Sequence, residues 1–319
     1  MRYVVGVDLG GTKTAAGVVG EDGSVLVQGQ IPTKNRDGGE AILDATAVLV
    51  RFLMDRAAEQ GATVDAVGVG SAGVINAAEG TVVSATDAIL DWTGTHITAG
   101  LQARLGLPAA VVNDVHAHAL GEAWQGAAAG TATSLMVAFG TGVGGSFVIN
   151  GQPLLGHHFV GGHVGHFASP LALHRGVPLP CSCGHAGHVE AVASGPAVRA
   201  AYVREGGSAG LADTRAVFDA ARLGDELALS VISRAARAAG QAVGGLANIL
   251  DPEVVVISGG LADAGELWWP AMERTLRAEL LAPLAGVPVV RASLGNTAAV
   301  VGAASLVLSP FSHRPQESP

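Results

Sequence analysis

The order of elements predicts an α/β protein made of two halves that follow one plan. Apolar runs at 3–7, 13–19 and 24–30 come before a segment of helical apolar spacing, and a similar succession begins again near residue 134. Each half sets a glycine-rich turn among its early strands, Asp8-Leu9-Gly10-Gly11-Thr12-Lys13 in the first and Gly140-Thr141-Gly142-Val143-Gly144-Gly145 in the second. With 319 residues, 49% of them hydrophobic, the chain is long enough to fill two cores.

In chain order, the first three runs read as consecutive strands. Ile42, Ala45, Val48, Leu49, Phe52 and Leu53 give residues 39–60 the apolar spacing of a helix. Val64–Gly70 is a buried-type strand followed by the glycine loop Ser71-Ala72-Gly73, and a helix near 97–105 leads to the strand Ala109–Val112. The second half offers strands at 134–139, 145–149 and 253–257, with helices at 190–203, 213–222 and 225–249. Residues 294–308 read as a loop and a closing helix. The expected domains are 1–114, completed by a helix at about 297–308, and 115–296. The polar, proline-containing tail 309–319 is expected to be disordered.

Residues 151–189 break the pattern, holding glycine, proline and most of the histidines with little periodicity. A loop this long inside a compact domain is usually functional. No uninterrupted apolar stretch reaches the roughly 20 residues of a bilayer span, and no signal sequence is visible. Cys181 and Cys183 are too close for an ordinary disulfide, which points to the cytoplasm. A net charge of −9 argues against general affinity for nucleic acid.

A strand ending in a carboxylate, two glycines and a threonine suits a phosphorylated nucleotide. The glycines bring backbone N–H groups close to phosphate oxygens and tolerate the positive φ of a tight turn. Thr12 adds a hydroxyl donor, and Asp8 can hold Mg²⁺. Gly-Gly is also common in plain hairpin turns, and a hairpin can itself be the phosphate loop. Gly140–Gly145 matches G-x-G-x-x-G, but a dinucleotide motif opens a helix and Ser146-Phe147-Val148-Ile149 is strand-like. It is expected to be a second phosphate hairpin. Gly259 and Gly260, ending the run from Val254, suit close approach of adenine or ribose, or form an ordinary strand-to-helix turn.

Asp114 follows Asn113 at the end of a buried strand, where α/β sheets bind ligands. It is either a general base or a helix N-cap, and Asn113 can orient a substrate hydroxyl. His166, Cys181, Cys183 and His188 suit a tetrahedral Zn²⁺ with no open position, hence structural; the alternative is two free cysteines in a histidine-rich loop. His157, His158, His174 and His185 are expected at the surface or in packing.

Together these motifs resemble the ROK family (repressors, open reading frames and sugar kinases) over essentially the whole chain. The features are Asp8–Lys13, Asn113-Asp114, the hairpin at 140–145, Gly162-His163-Val164-Gly165-His166, and the run from Cys181 through Glu190 to Ser194. The resemblance implies an actin-like ATPase fold of two ribonuclease-H-like domains with a central cleft, and a zinc loop at 156–189. It further implies an ATP-dependent sugar kinase in which Asp114 removes the proton of a sugar hydroxyl, usually O6. Asn113, Asp114, His166 and Glu190 would hold the sugar, with Gly73 beside them. Asp8, Gly10, Gly11, Thr12, Lys13, Thr141, Gly142, Gly259 and Gly260 would hold nucleotide and Mg²⁺. His166 would serve both zinc and sugar. Relatives are commonly homodimers or homotetramers.

Three departures bear on these expectations. His163 stands where many relatives have glutamate, His188 where most have a third cysteine, and Asp87 where asparagine is common among the sugar contacts. Imidazole can donate as well as accept, which suits an acyl carbonyl that a carboxylate would repel. The Gly-His-x-Gly-His form resembles bacterial N-acetylmannosamine kinases, so N-acetylmannosamine is the first expected substrate and glucose the second. A sugar-responsive repressor with a helix-turn-helix domain, or a non-catalytic sugar binder, is the remote alternative. The early first strand and intact Asp114 argue against both.

Overall fold

A computed structural model describes residues 1–86 and 88–308. Asp87 and the tail 309–319, about which the sequence made expectations, lie outside the described residues. The first strands are β1 (Tyr3–Leu9), β2 (Lys13–Gly20) and β3 (Val25–Pro32), followed by helix α1 (Gly38–Ala58). Next come β4 (Val64–Ser71), a small hairpin of β5 (Val74–Asn76) and β6 (Thr81–Ser84), α2 (Ile97–Leu105), β7 (Ala109–Asn113) and α3 (Asp114–Gln125). Then follow β8 (Thr133–Phe139), β9 (Val143–Ile149), β10 (Gln152–Pro153) and a second small hairpin, β11 (Leu173–His174) and β12 (Val177–Pro178). Four helices come next, α4 (Glu190–Ala193), α5 (Gly195–Arg204), α6 (Thr214–Arg222) and α7 (Glu226–Leu250). The chain ends in β13 (Val254–Ser258), α8 (Trp269–Glu279), β14 (Val289–Arg291) and α9 (Ala298–Leu308).

The chain forms two compact units. The first takes residues 1–130, 151–161 and 293 onward. It passes the boundary expected at Asp114 because α3 packs on α9. Its sheet has the order β3-β2-β1-β4-β7, with β1 antiparallel to β2 and parallel to β4, and β4 parallel to β7. Val5, Val7, Val67 and Val69 are fully buried in its core, together with Leu43, Leu53, Trp92 and Leu101. The continuous apolar runs of β1 and β4 reflect burial on both faces.

On one of those faces α9 lies directly against the sheet. A Cβ on Gly6 or Gly68 would run into the carbonyls of Val300 and Ala303. A Cβ on Gly302 or Gly121 would likewise run into the carbonyls of Ala117 and Ala298, so α3 stacks backbone to backbone on α9. Glu122, only 1% exposed, completes this layer. Its carboxylate accepts N–H groups of Ala127 (2.8 Å), Ser293 (3.0 Å) and Leu294 (2.9 Å).

The second unit takes residues 131–150 and 162–292. Its strands run β9-β8-β13-β14, with β8 antiparallel to β9 and parallel to β13. The long α7 buries Ala235, Ala236, Ala238, Ala239 and Ala247, and at Gly240 an added Cβ would run into the Met272 carbonyl, so α8 approaches closely there. The single helix expected at 190–203 is two, α4 and α5. Ser194 leaves the helical region and accepts the Ala197 N–H at 3.3 Å as the cap of α5, which starts with Gly195-Pro196. The break frees the Gly195 N–H to donate to the Gly140 carbonyl at 2.8 Å. Among the described residues no helix is long and apolar enough to cross a membrane.

Two glycine substitutions should diverge in sign. Gly302→Ala, which forces a methyl into the Ala117 carbonyl, should lose about 3 kcal/mol or more in urea unfolding. Gly245→Ala, in α7 with nothing within 4 Å of the added Cβ, should gain about 0.5–1 kcal/mol.

Candidate active site

In the first unit β1, β4 and β7 run parallel, so their C-terminal ends share one edge of the sheet. The register sets Asp8 beside Gly70, and Ser71 beside Asn113. Asn113 is the N-cap of α3: its Oδ1 accepts the Val115 N–H at 2.9 Å, and its Nδ2 donates to the Gly73 carbonyl at 2.9 Å. Asp114, for which a capping role was one alternative, is instead the first helical residue, with Oδ1 accepting the Val115 N–H at 2.8 Å. Gly70 makes room for this. A Cβ there would stand 2.6 Å from the Ala117 Cβ and 3.4 Å from the Asp114 Cα.

Burial, and then the neighbouring Asp8 carboxylate, pushes the Asp114 carboxyl up to about 6. Burial also raises Asp8, against the opposing charge of Lys13. Two carboxylates withdrawn from water at one sheet edge, one raising the other, suit a divalent cation, so Asp8 is able to hold Mg²⁺ directly or through water.

The turn from Gly10 to Lys13 closes through the Gly10 N–H, which donates to the Lys13 carbonyl at 3.1 Å. Thr33, which sequence reasoning missed, clamps it: its N–H donates to the Thr12 carbonyl at 3.0 Å and its hydroxyl to the Gly10 carbonyl at 2.8 Å. Contrary to expectation, neither Gly10 nor Gly11 has a positive φ. A Cβ on Gly11 would meet only ordinary contacts, the nearest at 3.5 Å. The fold itself does not forbid a side chain at 11, where an added methyl would pack against Ala88 and Ile89. Thr12 and Lys13 are exposed.

The second unit holds a cavity of about 730 Å³. Gly140, Thr141, Gly195 and Gly260 line it, with Thr214 and Phe218 from α6. Gly259 adopts φ +87° and packs on Phe139, whose carbonyl accepts the Leu261 N–H at 3.0 Å, tying the ends of β8 and β13 together. Only glycine fits at 259. Gly140 and Gly260 have nothing within 4 Å of an added Cβ, so their bareness faces the cavity rather than the core. The contribution of α6, including Asp213, Arg215 and Arg222, was not foreseen. Its signal in the sequence was the Asp213-Thr214 cap opening a charged, amphipathic helix.

The metal-type residues gather in the same unit. Ligand atoms of His166, Cys181, Cys183 and His188 all lie within 4.8 Å of one another. Cys181 Sγ is 3.5 Å from His166 Nδ1, and Cys183 Sγ is 3.2 Å from His188 Nδ1. Zinc with bonds of about 2.3 Å to sulfur and about 2.0 Å to nitrogen has tetrahedral S···N edges of about 3.5 Å, so this donor set fits the ion. Burial pushes the Cys181 thiol up, and a bound cation is what would hold it as thiolate. His157 and His158 are exposed with their rings edge to face, and His185 is exposed; none of the three joins the cluster.

His163 stacks at 6.1 Å on the His166 ring. Desolvation, then the neighbouring His166, lowers its pKa, with Glu190 opposing. Glu190 opens α4, and its carboxylate is already engaged. Oε2 accepts the Val143 N–H at 2.9 Å beside Gly142, and Oε1 accepts the Ser182 hydroxyl. Neither partner was anticipated from sequence.

A model of the ROK family matches residues 4–309. The chain belongs to the ROK family. The glucokinase of Thermotoga maritima is 34% identical to this ROK protein over 318 residues, covering 95% of this chain and 96% of the relative. The N-acetyl-D-glucosamine kinase of Escherichia coli is 32% identical over 314 residues, covering 95% and 99%. The crystal structure of a ROK glucokinase from Streptomyces griseus, in complex with glucose and AMPPNP, matches with a TM-score of 0.76 at 33% identity, covering 95% and 98%. With such relatives along its length, this ROK protein is a carbohydrate kinase.

The Asp114 shift has a sign that stability can read. Its folded pKa of about 6 lies above the ordinary 3.8, so keeping it ionised in the fold weakens the native state as pH rises through this window. Without added divalent cation, Asp114→Asn should therefore melt roughly 2–4 °C above the parent at pH 8, with the gap closing toward pH 4.

Proposed function

We propose that this ROK kinase transfers the γ-phosphate of ATP to the 6-hydroxyl of a hexose or N-acetylhexosamine, with N-acetylmannosamine its first substrate and glucose its second. Asp114 carries the assignment: a carboxylate at a parallel-strand end, raised to about 6 beside Asp8. Above that pH it is ionised and takes the proton of the sugar hydroxyl as the oxygen bonds to the γ-phosphorus. The bond from that phosphorus to the β,γ-bridging oxygen breaks, and ADP leaves. General-base help of this kind contributes about 10²–10⁴-fold, and in-line positioning supplies much of the rest.

By the family pattern, Gly73, Asn113, Asp114, His163, His166 and Glu190 contact the sugar, and Asp87 joins them. Asp8, Gly10, Gly11, Thr12, Lys13, Thr141 and Gly142 hold the phosphates, while Gly259 and Gly260 flank the nucleoside. The open faces of Gly140 and Gly260 support this, as does AMPPNP in the Streptomyces griseus relative. Mg²⁺, held at Asp8, neutralises phosphate charge when bound. His166, Cys181, Cys183 and His188 hold a structural Zn²⁺ that orders the loop around His166. Family membership also supports an actin-like ATPase fold of two ribonuclease-H-like domains, a homodimer or homotetramer, and a cytoplasmic setting.

The substrate order follows from His163. A neutral imidazole donates to an acyl carbonyl, and the Escherichia coli relative named for an acetamido sugar supports that class. Glucose is supported by the relatives named glucokinase and by the glucose complex.

A coupled ADP-release assay across glucose, mannose, N-acetylglucosamine and N-acetylmannosamine should give the highest kcat/KM with N-acetylmannosamine. A wide margin for glucose would reverse the order. Asp114→Ala should lower kcat by about 10²–10⁴-fold with the circular dichroism spectrum intact, and substantial retained turnover would remove Asp114 as the base. In the parent, kcat/KM should fall about tenfold per pH unit below about 6. Elemental analysis of protein purified without added metal should find one zinc per chain, lost in Cys183→Ser.

A further inference from the structure

Glu190 reaches its position with both carboxylate oxygens occupied by partners from two different loops. One is the backbone N–H of Val143, at 2.9 Å from Oε2, in the glycine hairpin. The other is the hydroxyl of Ser182, which donates to Oε1. Ser182 stands between Cys181 and Cys183, the two thiols of the metal-type cluster. The turn around it is tight: the Cys181 N–H donates to the His185 carbonyl at 2.8 Å, and the Gly184 N–H to the Cys181 carbonyl at 3.1 Å. Ser182 is exposed and takes no part in a core, so packing does not account for its hydroxyl.

A free glutamate has three side-chain torsions, and ordering them on binding costs about 1.5–2 kcal/mol. A carboxylate also offers about four lone-pair positions, of which two hydrogen bonds leave two for a ligand. Fixing the group beforehand transfers the ordering to folding and leaves the remaining lone pairs aimed.

We propose that Ser182 is a positioning residue for the sugar: its hydroxyl fixes the Glu190 carboxylate and so couples the order of the Cys181–Cys183 turn to substrate affinity. This rests on the assignment of Glu190 as a sugar contact made above. Any group that orders the turn, a bound zinc included, then tightens sugar binding without touching the sugar through Ser182 itself. The hydroxyl acts in sugar binding and not in nucleotide binding, because its sole described acceptor is Glu190.

Calorimetric titration with N-acetylmannosamine and with glucose, without nucleotide, tests this. Ser182→Ala should raise the Kd for the better sugar about tenfold, equivalent to about 1.4 kcal/mol. The sugar KM should rise in parallel, kcat should fall far less, and the KM for ATP should stay within twofold. Ser182→Thr, which keeps the hydroxyl, should restore affinity. Zinc content by elemental analysis should match the parent. Chelating the metal should weaken sugar binding in the parent more than in Ser182→Ala, since the two changes break one link and are not additive. A sugar Kd within twofold of the parent, with zinc retained, would overturn the proposal. So would loss of zinc from Ser182→Ala, which would assign the serine to the metal loop alone. If the unaltered chain binds neither sugar, the functional assignment falls first and this inference with it.

Discussion

Everything in the first unit is registered to one contact, the closure of backbone on backbone where α9 meets both the sheet and α3. Gly6 and Gly68 on the sheet side, with Gly302 and Gly121 on the helix side, leave no side chain between main chains. Ordinary helix packing keeps axes 8–10 Å apart through interdigitating side chains, and such packing tolerates small slips. A main-chain contact has little slack. The position of α3 beside α9 is therefore set by carbonyl oxygens, and Asp114, at the first turn of α3, inherits that position. Gly70 extends the same principle to the far end of the helix, since its missing side chain lets the first turn sit down on β4.

Geometry of this kind also accounts for the electrostatics. Parallel strands bring Asp8 and Asp114 to one edge of the sheet although the chain between them runs through β2 to β7. Neither carboxylate has an arginine or a lysine close enough to neutralise it fully; Lys13 offsets only part of the burial of Asp8. Burial, and then the Asp8 charge, lift Asp114 to about 6, so that at physiological pH it is largely ionised yet more basic than a carboxylate in water. The bare glycines at 140 and 260 complete the picture, because in both cases the absent side chain serves something other than the fold.

Much of this was legible in the sequence where the signal was local. The buried strands β1 and β4 showed as continuous apolar runs, α1 and α7 as periodic ones, and the four metal-type residues as a spacing. What escaped was non-local or weakly patterned. Thr33 secures a turn more than twenty positions away, and Ser182 and Val143 meet on Glu190 only after two loops converge on the start of α4. Helix α8 was missed because just Met272 and Leu276 face its core, too few to set a period. The break before α5 was readable in Ser194-Gly195-Pro196, a cap and a proline at the start of a helix, but the apolar residues on either side suggested continuity. The glycines of the first turn were read as a need for left-handed backbone, and neither adopts it: Gly10 lies close to the Lys13 carbonyl and Gly11 beside Ala88.

Glu122 has one more consequence. The chain departs from the first unit after Gly130, revisits it at 151–161 and comes back at Ser293, and a single carboxylate holds segments next to the first departure and the final return. The intervening polypeptide is thus a long excursion whose two ends are tethered side by side. Since closing a loop grows only logarithmically more costly with its length, the excursion can lengthen or shorten over evolutionary time almost without charge to the scaffold it leaves. The parent unit experiences its guest as a stapled stitch, whatever the size of the cloth beyond it.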